Sequence, residues 1–121
     1  MRSLLFIACL FFIGCTRLGP SILVGDYAAN HQKGEDVIYV NPDGTYIHRF
    51  KGPDGKQMEQ SGKWEYEQFQ GDPLLTFYDF VHWSDGPTAS KGIWPAAITR
   101  SFGRIRLVLD RDSDLYYAKV E

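Results

Sequence analysis

Cysteine is nearly absent from this 121-residue chain. Its two copies, Cys9 and Cys15, both fall in the first fifteen residues, so everything after them must fold without a disulfide. Long apolar runs are missing too. The longest, Leu4 to Ile13, has ten residues, about 15 Å as a helix against the roughly 30 Å hydrocarbon core of a bilayer, and it cannot span a membrane. Charge of one sign is not concentrated either. The chain has 13 Lys and Arg against 15 Asp and Glu, a mild acidity that argues against nucleic acid as a partner, since that function needs a strongly basic domain. The three histidines, His31, His48 and His82, lie in separate segments with no pair at ligand spacing, so no metal site is expected. There is no Gly-x-Ser-x-Gly motif and no phosphate-cradling glycine loop, and neither a catalytic residue nor an enzyme activity is expected.

What the amino terminus does have is a signal. One positive charge at Arg2, the ten-residue apolar run and small Gly14 form a secretory leader that does not belong to the fold. The tetrad "FIGC", Phe12, Ile13, Gly14 and Cys15, resembles the bacterial lipobox, departing from it at Phe12, where Leu is usual. The resemblance implies that signal peptidase II recognises Phe12, Ile13 and Gly14 and cuts before Cys15. Cys15 then carries a diacylglycerol on sulfur and an acyl chain on its new amino group, with no other cofactor. Each buried methylene contributes about 0.8 kcal/mol, so several chains on one residue make a lasting tether to membrane lipid. An ordinary secreted protein and a Cys9–Cys15 disulfide are the alternatives. Thr16 stands where an Asp would retain such a lipoprotein in the inner membrane, which implies the outer membrane, facing the periplasm, if the source has two. The expected division is 1–14 as signal peptide, 15–22 as lipidated Cys and tether, and 23–121 as one domain.

That domain is rich in aromatics. Of three Trp, seven Tyr and eight Phe, only Phe6, Phe11 and Phe12 precede Cys15. No segment keeps helical apolar spacing for three turns, whereas short β-rich runs between turn signals recur. "NPDG" (Asn41 to Gly44) and "GPDG" (Gly52 to Gly55) combine Pro, a self-bonding Asp and a final Gly, the chemistry of hairpin turns. Strands are predicted over Leu23–Ala28, Val37–Val40, Thr45–Lys51, Lys56–Glu67, Leu74–Phe80, Ala97–Phe102, Arg104–Leu109 and Leu115–Val120. About eight strands, each with one apolar face, do best by closing into an antiparallel meander barrel, because closure removes exposed edges.

The order "VGDYAA", "NPDGTYIHRF", "SGKWEY", "LLTFYDF" and "LYYAKV" resembles that of small bacterial envelope lipoproteins with a lipocalin-like β-barrel. The resemblance covers residues 23 to 121, with Gly25 and Tyr27 at the opening Gly-x-Tyr type of motif. It implies a non-enzymatic module that binds a small apolar ligand or another envelope protein.

Candidate contacts follow from the aromatics. The segment Val81 to Ala96 is long for a hairpin connection and carries Trp83 and Trp94; it is predicted to fold over a barrel end as a plug, or as a lid over a ligand or partner. Tyr46 and His48, which alternate with Phe50, are the other candidate contacts, His48 being read as a hydrogen-bonded wall residue rather than a metal ligand. Asp79 lies in an otherwise apolar strand and is either a buried acid or an outward one, solvated or Arg-paired. A hydrolase-type reading needs Asp79, His48 or Glu65 to converge in one pocket. Asp110, Asp112 and Asp114 have calcium-loop spacing but lack the Gly at the sixth place, where Leu115 stands, and are read as a polar turn. Arg100, Arg104, Arg106 and Arg111 are either a solvated face or a contact for anionic headgroups. A periplasmic inhibitor or assembly accessory is the second functional class.

Overall fold

A computed structural model describes residues 20–30, 35–52, 54–83, 90–110, 112 and 114–120. The tetrad ending at Cys15, His31, Arg111 and residues 84–89 of the Trp-bearing segment lie outside the described residues. One helical turn, α1 (Pro20–Leu23), precedes eight strands: β1 (Gly25–Ala29), β2 (Glu35–Val40), β3 (Thr45–Lys51), β4 (Gln57–Phe69), β5 (Asp72–Phe80), β6 (Gly92–Ser101), β7 (Arg104–Asp110) and β8 (Leu115–Lys119). They pair antiparallel in chain order and β8 returns to β1, closing the barrel. No helix among the described residues is long and apolar enough to cross a membrane.

The alternation of the sequence sets the inside. Ile38 and Val40 on β2, Tyr46, His48 and Phe50 on β3, Trp94, Ala96 and Ile98 on β6, and Ile105 and Leu107 on β7 are all buried, as a period of two requires. Both predicted turns form alike. Gly44 N–H donates to Asn41 O and Gly55 N–H to Gly52 O, with both glycines at positive φ, 90° and 83°. Asp43 and Asp54 each accept the N–H two residues on, at 3.1 and 3.0 Å.

β3 has the predicted bounds and most other strand ends shift by one or two residues; two of the differences bear on the site. Leu23 ends α1 rather than starting β1. β6 begins at Gly92, not Ala97, so Trp94 lies within a strand opposite Phe77 and not in the loop. Pro95 fits inside β6 because the ladder to β7 starts only at Ala97, and a proline is tolerated where one side of a strand is unpaired.

A meander reverses only at its hairpins, so the barrel has two distinct ends. The α1 end holds α1 and the β2–β3, β4–β5 and β6–β7 turns; the loop end holds the other four connections. Leu23 is fully buried at the α1 end, and its carbonyl accepts the Tyr27 hydroxyl at 2.7 Å. Between the ends the interior is packed with side chains: Tyr27, Tyr46, Tyr117, Phe77, Phe80, Leu75, Leu107 and His48 are all fully buried or nearly so. Among the described residues, the buried core and the strands together occupy residues 23–119.

Candidate functional site at the loop end

β2 carries Asp36 two residues before Ile38, in the inward phase, and only 4% of it is exposed. β3 places His48 diagonally across from it, opposite Ile38 and fully buried, with Nε2 2.6 Å from Asp36 Oδ1. β8 supplies Tyr117, whose hydroxyl donates to Asp36 Oδ2 at 2.8 Å. Where the Asp36 oxygen accepts, the donor in that contact is His48 Nε2–H. Burial and then the Asp36 charge push the Tyr117 phenol well above its ordinary value, which keeps it a protonated donor.

Aromatic rings close over this polar group. Phe80 stacks on His48, the ring centroids 4.6 Å apart. Trp94 contacts Phe80 at 4.9 Å and Tyr117 at 5.6 Å, and His82 meets both Phe80 and Trp94 edge-on. Phe80 reaches His48 because β5 is irregular between Phe77 and Phe80. Asp79 takes φ 59°, and the extra residue turns Asp79 outward and Phe80 inward, as a β-bulge does.

Two of the four predicted contact residues, His48 and Trp94, therefore meet within this cluster. Tyr46 plays a different part. Its ring contacts Phe77 and Phe80, but its hydroxyl donates to the Tyr78 carbonyl at 2.8 Å. There, where the β4–β5 ladder has ended at Trp64 and Phe77, it bridges the wall. Burial pushes its phenol up to about 12. Trp83 is half-buried at the loop end, its indole N–H buried and without a hydrogen-bond partner among the described residues.

The hydrolase-type constellation does not assemble. Asp79 and Glu65 are both exposed, and Glu65 accepts the Tyr78 hydroxyl on the outer face at 2.7 Å. At the β7–β8 turn Asp110 accepts the Asp112 N–H at 3.1 Å, a turn role. Of the arginines, Arg100 and Arg104 are exposed, while Arg106 lies over the Tyr116 ring at 4.0 Å.

Asp36 and Tyr117 were not anticipated. The available signal for Asp36 was its phase, an acid at the inward position of "DVIYV". Chemically, the cluster fixes the imidazole from one side and leaves Nδ1 buried with no partner among the described residues. His48 has no exposed surface and lies under Phe80, so it meets a solvent-borne substrate only after that ring moves. No protein family, no curated protein and no solved structure matches the chain.

Proposed function

We propose that this chain is a lipid-anchored envelope lipoprotein whose lipocalin-like barrel is a non-enzymatic interaction module, meeting a partner protein with its loop end. One observation carries the reading. The chain enters the barrel through α1, and His82 and Trp83 follow β5 at the opposite end. An anchor on Cys15, reached through a short tether, then holds the α1 end at the bilayer and turns the Trp-bearing end away from it. The packed interior favours contact at that surface over an apolar ligand enclosed in the barrel, and tryptophan is the residue type that most often anchors such a contact.

Two measurements test this. Cys15→Ser is expected to move the protein from the membrane to the soluble fraction; equal membrane recovery refutes the anchor. Envelope extract passed over immobilised residues 16–121 is expected to leave a captured protein that Trp83→Ala loses, and capture unaffected by that change refutes the loop-end surface.

The second reading is a small-ligand site, favoured by the unpartnered Nδ1 of His48. A ligand offering that nitrogen a hydrogen bond would displace Phe80, and its binding would be abolished by His48→Phe.

A further inference from the structure

Four large apolar residues are exposed among those described, and three share the α1 end: Phe69, 63% exposed, Phe102, fully exposed, and Val120, 52% exposed. They stand at the last residue of β4, in the β6–β7 turn and just after β8, three adjoining corners of the barrel. The fourth, Ile93, starts β6 near the loop end.

Phe102 is the most telling. With Ser101 paired to Arg104, Phe102 and Gly103 form a two-residue turn with φ of 52° and 80°, the type I′ geometry that prefers Asn-Gly. A bulky aromatic at positive φ is an outlier, and this one gains no packing in return, since it is fully exposed. Folding does not explain it. Arg100 and Arg104 flank the tip and are exposed as well. Ile22 of α1 lines one groove of about 310 Å³ with Arg100, Gly103, Arg104 and Lys119, so the basic corner adjoins the point where the chain enters the barrel. Lys119 itself is engaged, donating to the Ile22 carbonyl at 2.7 Å. The acids Asp26, Asp43 and Asp72 share this end, and Lys63 lines a groove with Asp43, whereas Arg100 and Arg104 stand together at the β6–β7 corner.

We infer that the α1 end of the barrel docks on an anionic lipid bilayer, with the Phe102 tip seated at headgroup level and Arg100 and Arg104 on lipid phosphates. The inference rests on the anchored reading for its geometry. Only four residues separate Cys15 from Pro20, so a lipid on Cys15 keeps this end within about 18 Å of the bilayer. Aromatic side chains prefer the headgroup level, and basic ones are drawn to anionic lipid. A tethered barrel that docks in this way stands upright, instead of tumbling on its leash.

The test couples residues 15–121 through Cys15, their only thiol, to a maleimide-bearing lipid in vesicles of phosphatidylcholine and phosphatidylglycerol with brominated acyl chains. Phe102→Trp and Ile93→Trp are compared after subtracting the parent emission. Bromine is expected to quench the tryptophan at 102 by half or more and to leave that at 93 unchanged. Omitting phosphatidylglycerol, or combining Arg100→Gln with Arg104→Gln, is expected to reduce the quenching several-fold. Equal quenching at both positions, or quenching indifferent to lipid charge, overturns the inference. So does a dimer in sedimentation that Phe102→Asn dissolves, which assigns the patch to a second copy. Phe102→Asn suits the turn and should keep or raise the melting midpoint, so its loss of docking is not loss of fold. Chemical coupling makes the result independent of cellular lipidation, which Cys15→Ser fractionation answers separately.

Discussion

Phe80 lies flat on the imidazole of His48, centroids 4.6 Å apart and planes within 10°, and a single extra residue, Asp79, puts it there. Without the irregularity after Phe77, strict alternation would send Asp79 into the core and Phe80 to solvent. Deleting Asp79 should therefore cost more than Phe80→Ala, itself expected to cost about 3–5 kcal/mol. Asp79→Gly keeps the bulge and suits φ 59°, so it should leave the urea midpoint unchanged or higher.

The Asp36 carboxylate holds two partners in a dry setting. Removing His48 alone, as His48→Leu, leaves a buried charge short of a partner and should cost about 3–5 kcal/mol. Replacing the group together, with Asp36→Leu, His48→Leu and Tyr117→Phe, should restore stability to within about 1 kcal/mol of the parent, because no polar atom is then stranded. Denaturant unfolding of the single and triple variants checks this; a triple variant weaker than the single one would show that the cluster itself is net stabilising.

Burial raises the phenols of Tyr27, Tyr46 and Tyr117. Their folded values exceed the ordinary one near 10, so unfolding frees these groups to ionise. Their contribution is complete below about pH 10 and is lost as pH rises beyond it, through about 12 for Tyr46. Unfolding free energy should fall over that range, and Tyr117→Phe should make the slope shallower by about 1.4 kcal/mol per pH unit. Phenolate absorbance of the folded protein should lag behind that of the unfolded chain.

The features legible in the sequence are those written in adjacent residues. "NPDG" and "GPDG" make their own turns, and the alternation of Tyr46, His48 and Phe50 survives as an inward row. The bulge at Asp79 has no local mark, because "LLTFYDF" reads as one unbroken strand. Phe102 and Gln70 hold positive φ in turns that lack the usual Asn-Gly, so their type was equally hidden. The cluster is harder still. Asp36 and His48 are twelve residues apart and Tyr117 is 81 beyond Asp36, and only closure of β8 onto β1 brings that hydroxyl to the carboxylate. Pro95 shows the converse: a residue with no N–H sits inside β6 because its strand pairing needs none there.

Gly62 faces Tyr46 across the β3–β4 ladder. A Cβ added at Gly62 would lie 2.5 Å from the Tyr78 carbonyl oxygen and 2.9 Å from the Tyr46 ring, so the missing side chain is what lets Tyr46 cross the strand and reach that carbonyl. Gly62→Ala should cost about 1–3 kcal/mol through overpacking, although alanine is the better residue for an ordinary strand. Tyr46→Phe in the same chain should not rescue it, because the nearer obstacle is backbone. A thermal melt of the single and double variants separates these contributions. If the double variant recovers, the hydroxyl was the obstruction, and the wall between β4 and β5 is more compliant than its hydrogen bonds imply.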